Sequence, residues 1–174
     1  PSSDEEVVAQ LRPWVKKKKA WALVMMGQHY REGKGVKQSY EMAKRLFEQA
    51  AQLGDVSAMY NLGVMYENGF GVEQSYERAA EYYEQAAHLG YANAQFNLGR
   101  LYADGRGVAQ SHLTAAALYE QAAQQGNTGA MNNLGILYAK GQGVERDLIK
   151  ARELFTTAEA LGDTNATAAL KNLN

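Results

Sequence analysis

Residues Ala58 to Gly90 read AMYNLGVMYENGFGVEQSYERAAEYYEQAAHLG. Two patterns are laid over this stretch. Ala58, Leu62 and Tyr66 are four apart, as are Ala79, Tyr83 and Ala87, and each set forms one stripe of a helix. Between the stripes stands Gly69-Phe70-Gly71-Val72, and the stretch closes on Gly90. The reading is two helices joined by a tight glycine turn, here called helix A and helix B.

The same unit recurs in both directions. Leu62-Gly63 is matched by Leu98-Gly99 and Leu134-Gly135, with Met26-Gly27 upstream, so the period is 36 residues without slippage. Tyr30, Tyr66, Tyr102 and Tyr138 follow these glycines by three. Gly-x-Gly-Val recurs at Gly33, Gly69, Gly105 and Gly141. Ala43, Ala79, Ala115 and Ala151 precede an aromatic by four, at Phe47, Tyr83, Tyr119 and Phe155. Strict phase over four copies is the mark of a stacked repeat architecture, because one hairpin cannot bury its apolar faces alone.

Punctuation places the ends of the helices. Helix A starts after Asp55, Asn127 or Asp163 and runs to the first glycine of Gly-x-Gly-Val. Helix B starts after Ser39, Ser75, Ser111 or Asp147, which are N-cap residue types at one register. It stops at Gly54, Gly90, Gly126 or Gly162, where a left-handed residue ends a helix. No stretch alternates with period two, so the chain is all-α. The small residues at Gly63 and Ala79 and their equivalents let paired helices approach, while tyrosine and leucine fill the space between hairpins.

The frame assigns the whole chain, 1–174, to a single repeat domain. Residues 3–17 form a lone B-type helix with Val7, Leu11 and Val15 on its core stripe. Four full repeats follow at 20–54, 55–90, 91–126 and 127–162, and 163–174 begin a fifth A helix through Ala166 and Leu170. These half-repeats are either caps or the ends of a longer solenoid. Pro13 lies inside the lone B helix and should kink or shorten it. Lys18 stands where Gly54 stands one repeat later, and Lys171 stands at the helix-A glycine position.

The motif Ala-x-x-x-Leu-Gly-x-x-Tyr-x-x-Gly-x-Gly-Val, followed by Ala-x-x-x-aromatic and Ala-Ala-x-x-Gly, resembles the Sel-1-like repeat, a relative of the tetratricopeptide repeat. The resemblance implies an α/α superhelix (a right-handed solenoid of helix-turn-helix repeats) and a role as an adaptor or scaffold in multiprotein complexes.

Composition narrows the remaining classes. Hydrophobic residues make up 46% and charged residues 21% of 174, which describes a globular chain. The formal charge of −1 lacks the basic surplus that phosphate neutralisation requires, so nucleic acid is not an expected partner. There are no cysteines, hence no disulfides, thiolate metal sites or cysteine nucleophiles. No apolar run approaches the roughly 18 residues of a membrane span, so no membrane association is expected. The acidic, polar start is not a signal peptide, which slightly favours the cytoplasm.

No chemistry stands out. The Gly-x-Gly loops lack a preceding strand, a third glycine or a Gly-Lys-Ser/Thr, so they are turns, not phosphate cradles. His29, His88 and His112 occupy different repeat positions with no carboxylate or second histidine at ligand spacing, and His29 suits a half-buried core place. Ser39, Ser75 and Ser111 are accounted for as caps. No catalytic residue, metal site or cofactor is assigned. Lys16–Lys19 with Arg12 form a basic run suited to a solvated helix end or to an anionic surface.

Candidate binding residues are sought where the repeats differ. By analogy with tetratricopeptide solenoids, helix A lines the concave face. The positions three before, one after and four after its glycine are Val24, Gln28 and Arg31; Tyr60, Val64 and Glu67; Phe96, Arg100 and Ala103; Asn132, Ile136 and Ala139. Tyr60, Phe96 and Arg100 are residue types enriched at binding hot spots. They are the central candidates for holding a protein partner's peptide or helix, with Asn61, Asn97, Val64, Glu67, Asn132 and Gln28 beside them. The ladder Asn61, Asn97 and Asn133 either bonds a ligand backbone or bridges adjacent repeats. The alternatives to a non-catalytic interaction module are a structural spacer that self-associates through its exposed ends, and a hydrolase-type enzyme.

Overall fold

The computed structural model describes residues 2–173. Among these, ten α-helices and no strands are present. They are α1 (Ser3–Lys16), α2 (Ala20–Glu32), α3 (Tyr40–Gln52), α4 (Val56–Asn68) and α5 (Tyr76–His88), then α6 (Ala92–Asp104), α7 (His112–Gln124), α8 (Thr128–Lys140), α9 (Leu148–Ala160) and α10 (Thr164–Asn172). Even-numbered helices are the A type and odd-numbered helices the B type. The chain forms two compact units, Pro1–Ala86 and Ala87–Asn174.

The helix ends are set by the residues that the periodicity marks. Asp55 accepts a hydrogen bond from the Ala58 amide at 2.8 Å, Ser39 from Met42 at 3.2 Å, and Asp147 from Lys150 at 2.9 Å. Each satisfies an amide that the first helical turn leaves unpaired. The A helices stop on Gly33, Gly69, Gly105 and Gly141, whose φ angles are 71°, 69°, 67° and 65°. A side chain there would be held in the disfavoured left-handed region.

The helix-A glycines have a more specific task than close approach in general. A β-carbon on Gly63 would lie 2.5 Å from the Tyr83 ring, and one on Gly99 would lie 2.7 Å from the Tyr119 ring. Gly27 and Gly135 are equally tight against Phe47 and Phe155, at 2.6 Å each. The B-helix aromatic therefore packs one side of its ring, at Cδ1 and Cε1, against the A-helix glycine of its own repeat. In the unit 1–86 the core runs from Val8 and Leu11 through Leu23, Phe47 and Leu62 to Met65. In the unit 87–174 it is built on Tyr119, Leu134 and Leu137 and on Met131, Phe155 and Ala166.

Three findings refine the sequence reading at the ends. The helix α1 covers 14 residues with Pro13 inside it, so the proline does not shorten it. Ala9 and Pro13 both face solvent, where water can satisfy the carbonyl that proline leaves without a donor. Val8 joins Leu11 in the buried core, while Val7 and Val15 pack half-buried against it. Lys18 adopts φ 52°, the left-handed conformation that Gly54 takes at φ 85° one repeat later.

Candidate functional site

The varying positions of helix A share one register stripe in each unit, and Val24 among them is buried in the core. In the unit 1–86, Tyr60 is half-buried with its ring centroid 5.8 Å from that of Tyr83, which is itself fully buried. The Tyr83 hydroxyl donates to Glu67 at 2.5 Å. Gln28 and Val64 are half-buried on the same face, one repeat apart. Two of the proposed binding residues, Tyr60 and Glu67, are thus steadied by one core tyrosine.

Asn61 has a different position. It is 4% exposed, its amide donates to the Ser57 carbonyl at 2.8 Å, and its carbonyl accepts from the Arg31 guanidinium at 2.9 Å. It bridges α2 and α4 across a repeat boundary. Arg31 continues to Glu32 at 2.9 Å, and Lys34 closes on the same carboxylate at 2.7 Å. The hydrogen bond from Lys34, followed by that from Arg31, holds the Glu32 carboxyl below its usual value.

In the unit 87–174, Phe96 is half-buried with its ring 6.0 Å from that of Tyr119 and with the Arg100 guanidinium 5.9 Å over its face. Arg100 also donates to Asn97 at 3.3 Å. The outer edge of the Phe96 ring rests on α8, where a β-carbon at Gly129 would be 3.0 Å away. Asn132 lies half-buried on α8, and its Oδ1 is buried with no hydrogen-bond partner among the described residues. Asn133 bonds the Tyr119 hydroxyl, whose pKa is raised chiefly by burial and lowered by that bond. A mainly apolar hollow of ≈ 340 Å³ lies farther along the face, between Ile136 and Ala139 on α8 and Ala169 and Leu173 at the chain's end.

Two features of this face were not anticipated. Gly129 is the single glycine of 17 outside the repeated frame, and that isolation was the available signal for its contact with Phe96. Gln95 is buried, donates to the Ala87 carbonyl at 3.3 Å and accepts from Gln125 at 2.9 Å, a bridge between repeats with no repeated signature. Hollows also occur on the B side. One lies between α3 and α5 beside Glu48 and Tyr82, and one between α7 and α9 beside Glu120 and Leu154, at equivalent registers.

The remaining sequence candidates are placed as follows. His29 is half-buried, with Nδ1 2.8 Å from the Lys34 carbonyl oxygen, and His88 is exposed. His112 is half-buried at the start of α7. Among the described residues no group of three histidine, aspartate or glutamate side chains is disposed to hold a metal ion. No described helix is long and apolar enough to cross a membrane.

Known proteins share this arrangement. A Sel1 repeat protein from Oxalobacter formigenes superposes with a TM-score of 0.90 at 36% identity, over 100% of this chain and 51% of that one. A protective antigen of uropathogenic Escherichia coli with an SLR fold gives 0.89 at 33% identity, over 91% of this chain and 34% of that one. Cysteine rich protein B of Helicobacter pylori gives 0.56 at 26% identity, over 73% of this chain and 96% of that one. The chain thus spans about half or less of the first two relatives. No curated protein sequence matches it. The Sel1 repeat family model matches residues 22–55, 56–91, 92–127 and 128–163 in unbroken succession. With this period, these caps and these glycine–aromatic contacts, the chain belongs to the Sel1 repeat family, whose α/α solenoids are generally protein-interaction modules and typically non-catalytic scaffolds.

Proposed function

We propose that the chain is a non-catalytic adaptor that holds a peptide or helix of a partner protein on its A-helix face. The observation that carries this reading is the Phe96 group. An aromatic ring is held half-buried by Tyr119 beneath it and by α8 at its edge, with a guanidinium over its face. Such a group is ordered before any partner arrives, which lowers the entropy cost of association. Aromatic and arginine side chains also carry a large share of binding energy at interfaces.

In the unit 87–174, Phe96 and Arg100 are the anchors, with Asn97 orienting Arg100 and Asn132 at the same register on α8. In the unit 1–86, Tyr60 and Val64 supply the apolar contact, with Gln28 and Glu67 as polar neighbours. Asn61 acts through the repeat boundary, because both ends of its amide group are engaged within the fold.

The test is affinity capture from a lysate of the source organism, followed by calorimetry with the purified partner. The native chain is compared with Tyr60→Ala and with Phe96→Ala/Arg100→Ala, each matched for helicity by circular dichroism. The reading requires a partner whose affinity falls at least about tenfold, ~1.4 kcal/mol, in the Phe96→Ala/Arg100→Ala variant. Equal affinity for all three chains refutes the A-helix face as the site.

A further inference from the structure

The two hollows between B helices share a chemistry that the single repeat does not carry. Between α7 and α9 lies one of ≈ 310 Å³, floored by the buried Met131 and Leu134 of α8 and lined by Glu120 from α7 and Glu153 from α9. Between α3 and α5 lies one of ≈ 420 Å³, floored by the buried Leu62 of α4 and lined by Glu48 from α3 and Glu81 from α5. Each hollow thus receives one carboxylate from each of two neighbouring B helices. Glu48 and Glu120 stand two repeats apart, as do Glu81 and Glu153. Arg45 and Ala117 occupy the Glu81 register in the other two repeats, so this glutamate is no part of the common frame.

Each hollow is bounded by consecutive B helices within one unit. The small Ala51 and Ala123, at one register, leave its apolar floor uncovered. Half-buried Tyr82 and Leu154, again at one register, add an apolar wall. The cations nearby are engaged elsewhere. Arg78 donates to the Tyr66 hydroxyl at 3.0 Å, and Lys150, at the same register, lies 4.5 Å from the centre of the Tyr138 ring. Lys44 pairs with Glu48 on its own helix at 3.3 Å. The exposed Glu81 and Glu153 carboxylates have no ion-pair partner among the described residues.

An apolar floor below a pair of carboxylates selects its occupant by charge. A purely apolar side chain would cover the floor but strip water from the carboxylates without replacing it. An acidic one would be repelled. An arginine side chain meets both demands: its methylene stem lies on apolar surface while the guanidinium stays at the rim, where its planar fork matches a carboxylate.

We infer that each of these hollows docks an arginine side chain of a partner protein, with the stem on the apolar floor and the guanidinium on Glu81 or Glu153. This is a second surface, independent of the A-helix face.

The test is a methyl-detected NMR titration of the full chain with the blocked peptide acetyl-Gly-Arg-Gly-amide. The Met131 methyl reports the hollow between α7 and α9, and the Leu62 methyls report the one between α3 and α5. Saturable shifts are expected at both. The same peptide with neutral citrulline in place of arginine should bind about fivefold more weakly or worse. Glu153→Gln should weaken binding by a similar factor at Met131 and leave Leu62 unchanged, and Glu81→Gln should do the reverse. Both glutamates are exposed, and unshifted methyl signals elsewhere show that the variants keep the fold. No saturable shift at about 20 mM peptide overturns the inference. Equal binding of the citrulline peptide overturns it too, as does a Met131 response that Glu153→Gln leaves intact. A response at one hollow alone overturns it for the silent one. Shifts produced by spermidine and not by the peptide overturn it in favour of a free polyamine.

Discussion

Gly63→Ala separates the two effects that a helical glycine combines. In an unconstrained helix interior, alanine is more favourable than glycine by about 0.8–1.0 kcal/mol. Here the new methyl group would lie 2.5 and 2.6 Å from two atoms of the Tyr83 ring, whereas carbon atoms rest about 3.5–4.0 Å apart. The ring must retreat by about 1 Å, but it is fully buried and its hydroxyl is tied to Glu67. Overpacking costs about 1–3 kcal/mol, and loosening a hydrogen bond to a charged acceptor adds about 1.5 kcal/mol. Less the propensity gain, the variant should lose about 2–3 kcal/mol and melt roughly 5–10 °C lower. The assay is urea unfolding followed by circular dichroism, in a cycle with Tyr83→Leu. The double variant should recover at least about 1 kcal/mol relative to the sum of the single changes. A stabilised Gly63→Ala, or strict additivity in the cycle, would refute the ring-on-glycine account. Gly54→Ala is the control, since no atom lies within 4 Å of the added carbon and only the φ of 85° opposes it, at about 1 kcal/mol.

Lys18→Gly should raise the urea midpoint by about 0.5–1 kcal/mol of stability. It relieves a side chain held at φ 52°, and the gain is reduced by the wider freedom of glycine in the unfolded chain. A lowered midpoint at unchanged slope would contradict this. Burial raises Tyr119 and Tyr82 above the ordinary tyrosine value of about 10. Stability from these groups is fully present below the unfolded value and is lost as pH rises through their folded values. The urea midpoint should therefore fall in strong alkali, and Tyr82→Phe should make the fall shallower; an unaltered slope would count against the assignment.

The repeat frame and its caps were legible because each depends on local chemistry that recurs. Asp55 and Ser39 cap whatever helix follows them, and Gly69 ends a helix wherever a left-handed residue is required. Lys18 was legible as an intruder in a glycine register, and its left-handed φ follows from its neighbours rather than from its own preference. The missed features each needed a partner distant in sequence. The ladder left Asn61 open to a ligand or to a neighbouring repeat, and Arg31, 30 residues earlier, decides for the bridge. Gln95 stands where the other repeats carry Leu23, Met59 and Met131, and what satisfies its amide becomes visible only with Gln125 placed beside it. The shortening expected of Pro13 does not occur because its cost depends on which side of α1 faces water, and the sequence pattern puts only the core stripe in view.

The division between repeated and varying positions also constrains what a partner must look like. The fourfold-repeated glycines, B-helix aromatics and caps are all engaged in the fold, so in the proposed adaptor discrimination among partners is assigned to positions such as Phe96 and Asn132. These two occupy one register on neighbouring helices in direct contact, and packed helices lie about 8–10 Å apart. An extended peptide rises about 3.3 Å per residue, so its side chains meet the two positions at a spacing of about three residues. A helix lying across them rises 1.5 Å per residue and needs a spacing of about six or seven, close to two turns. An anchor spacing mapped by alanine substitution along the partner therefore distinguishes the two modes. A spacing of one or two residues fits neither and would place the partner off this face.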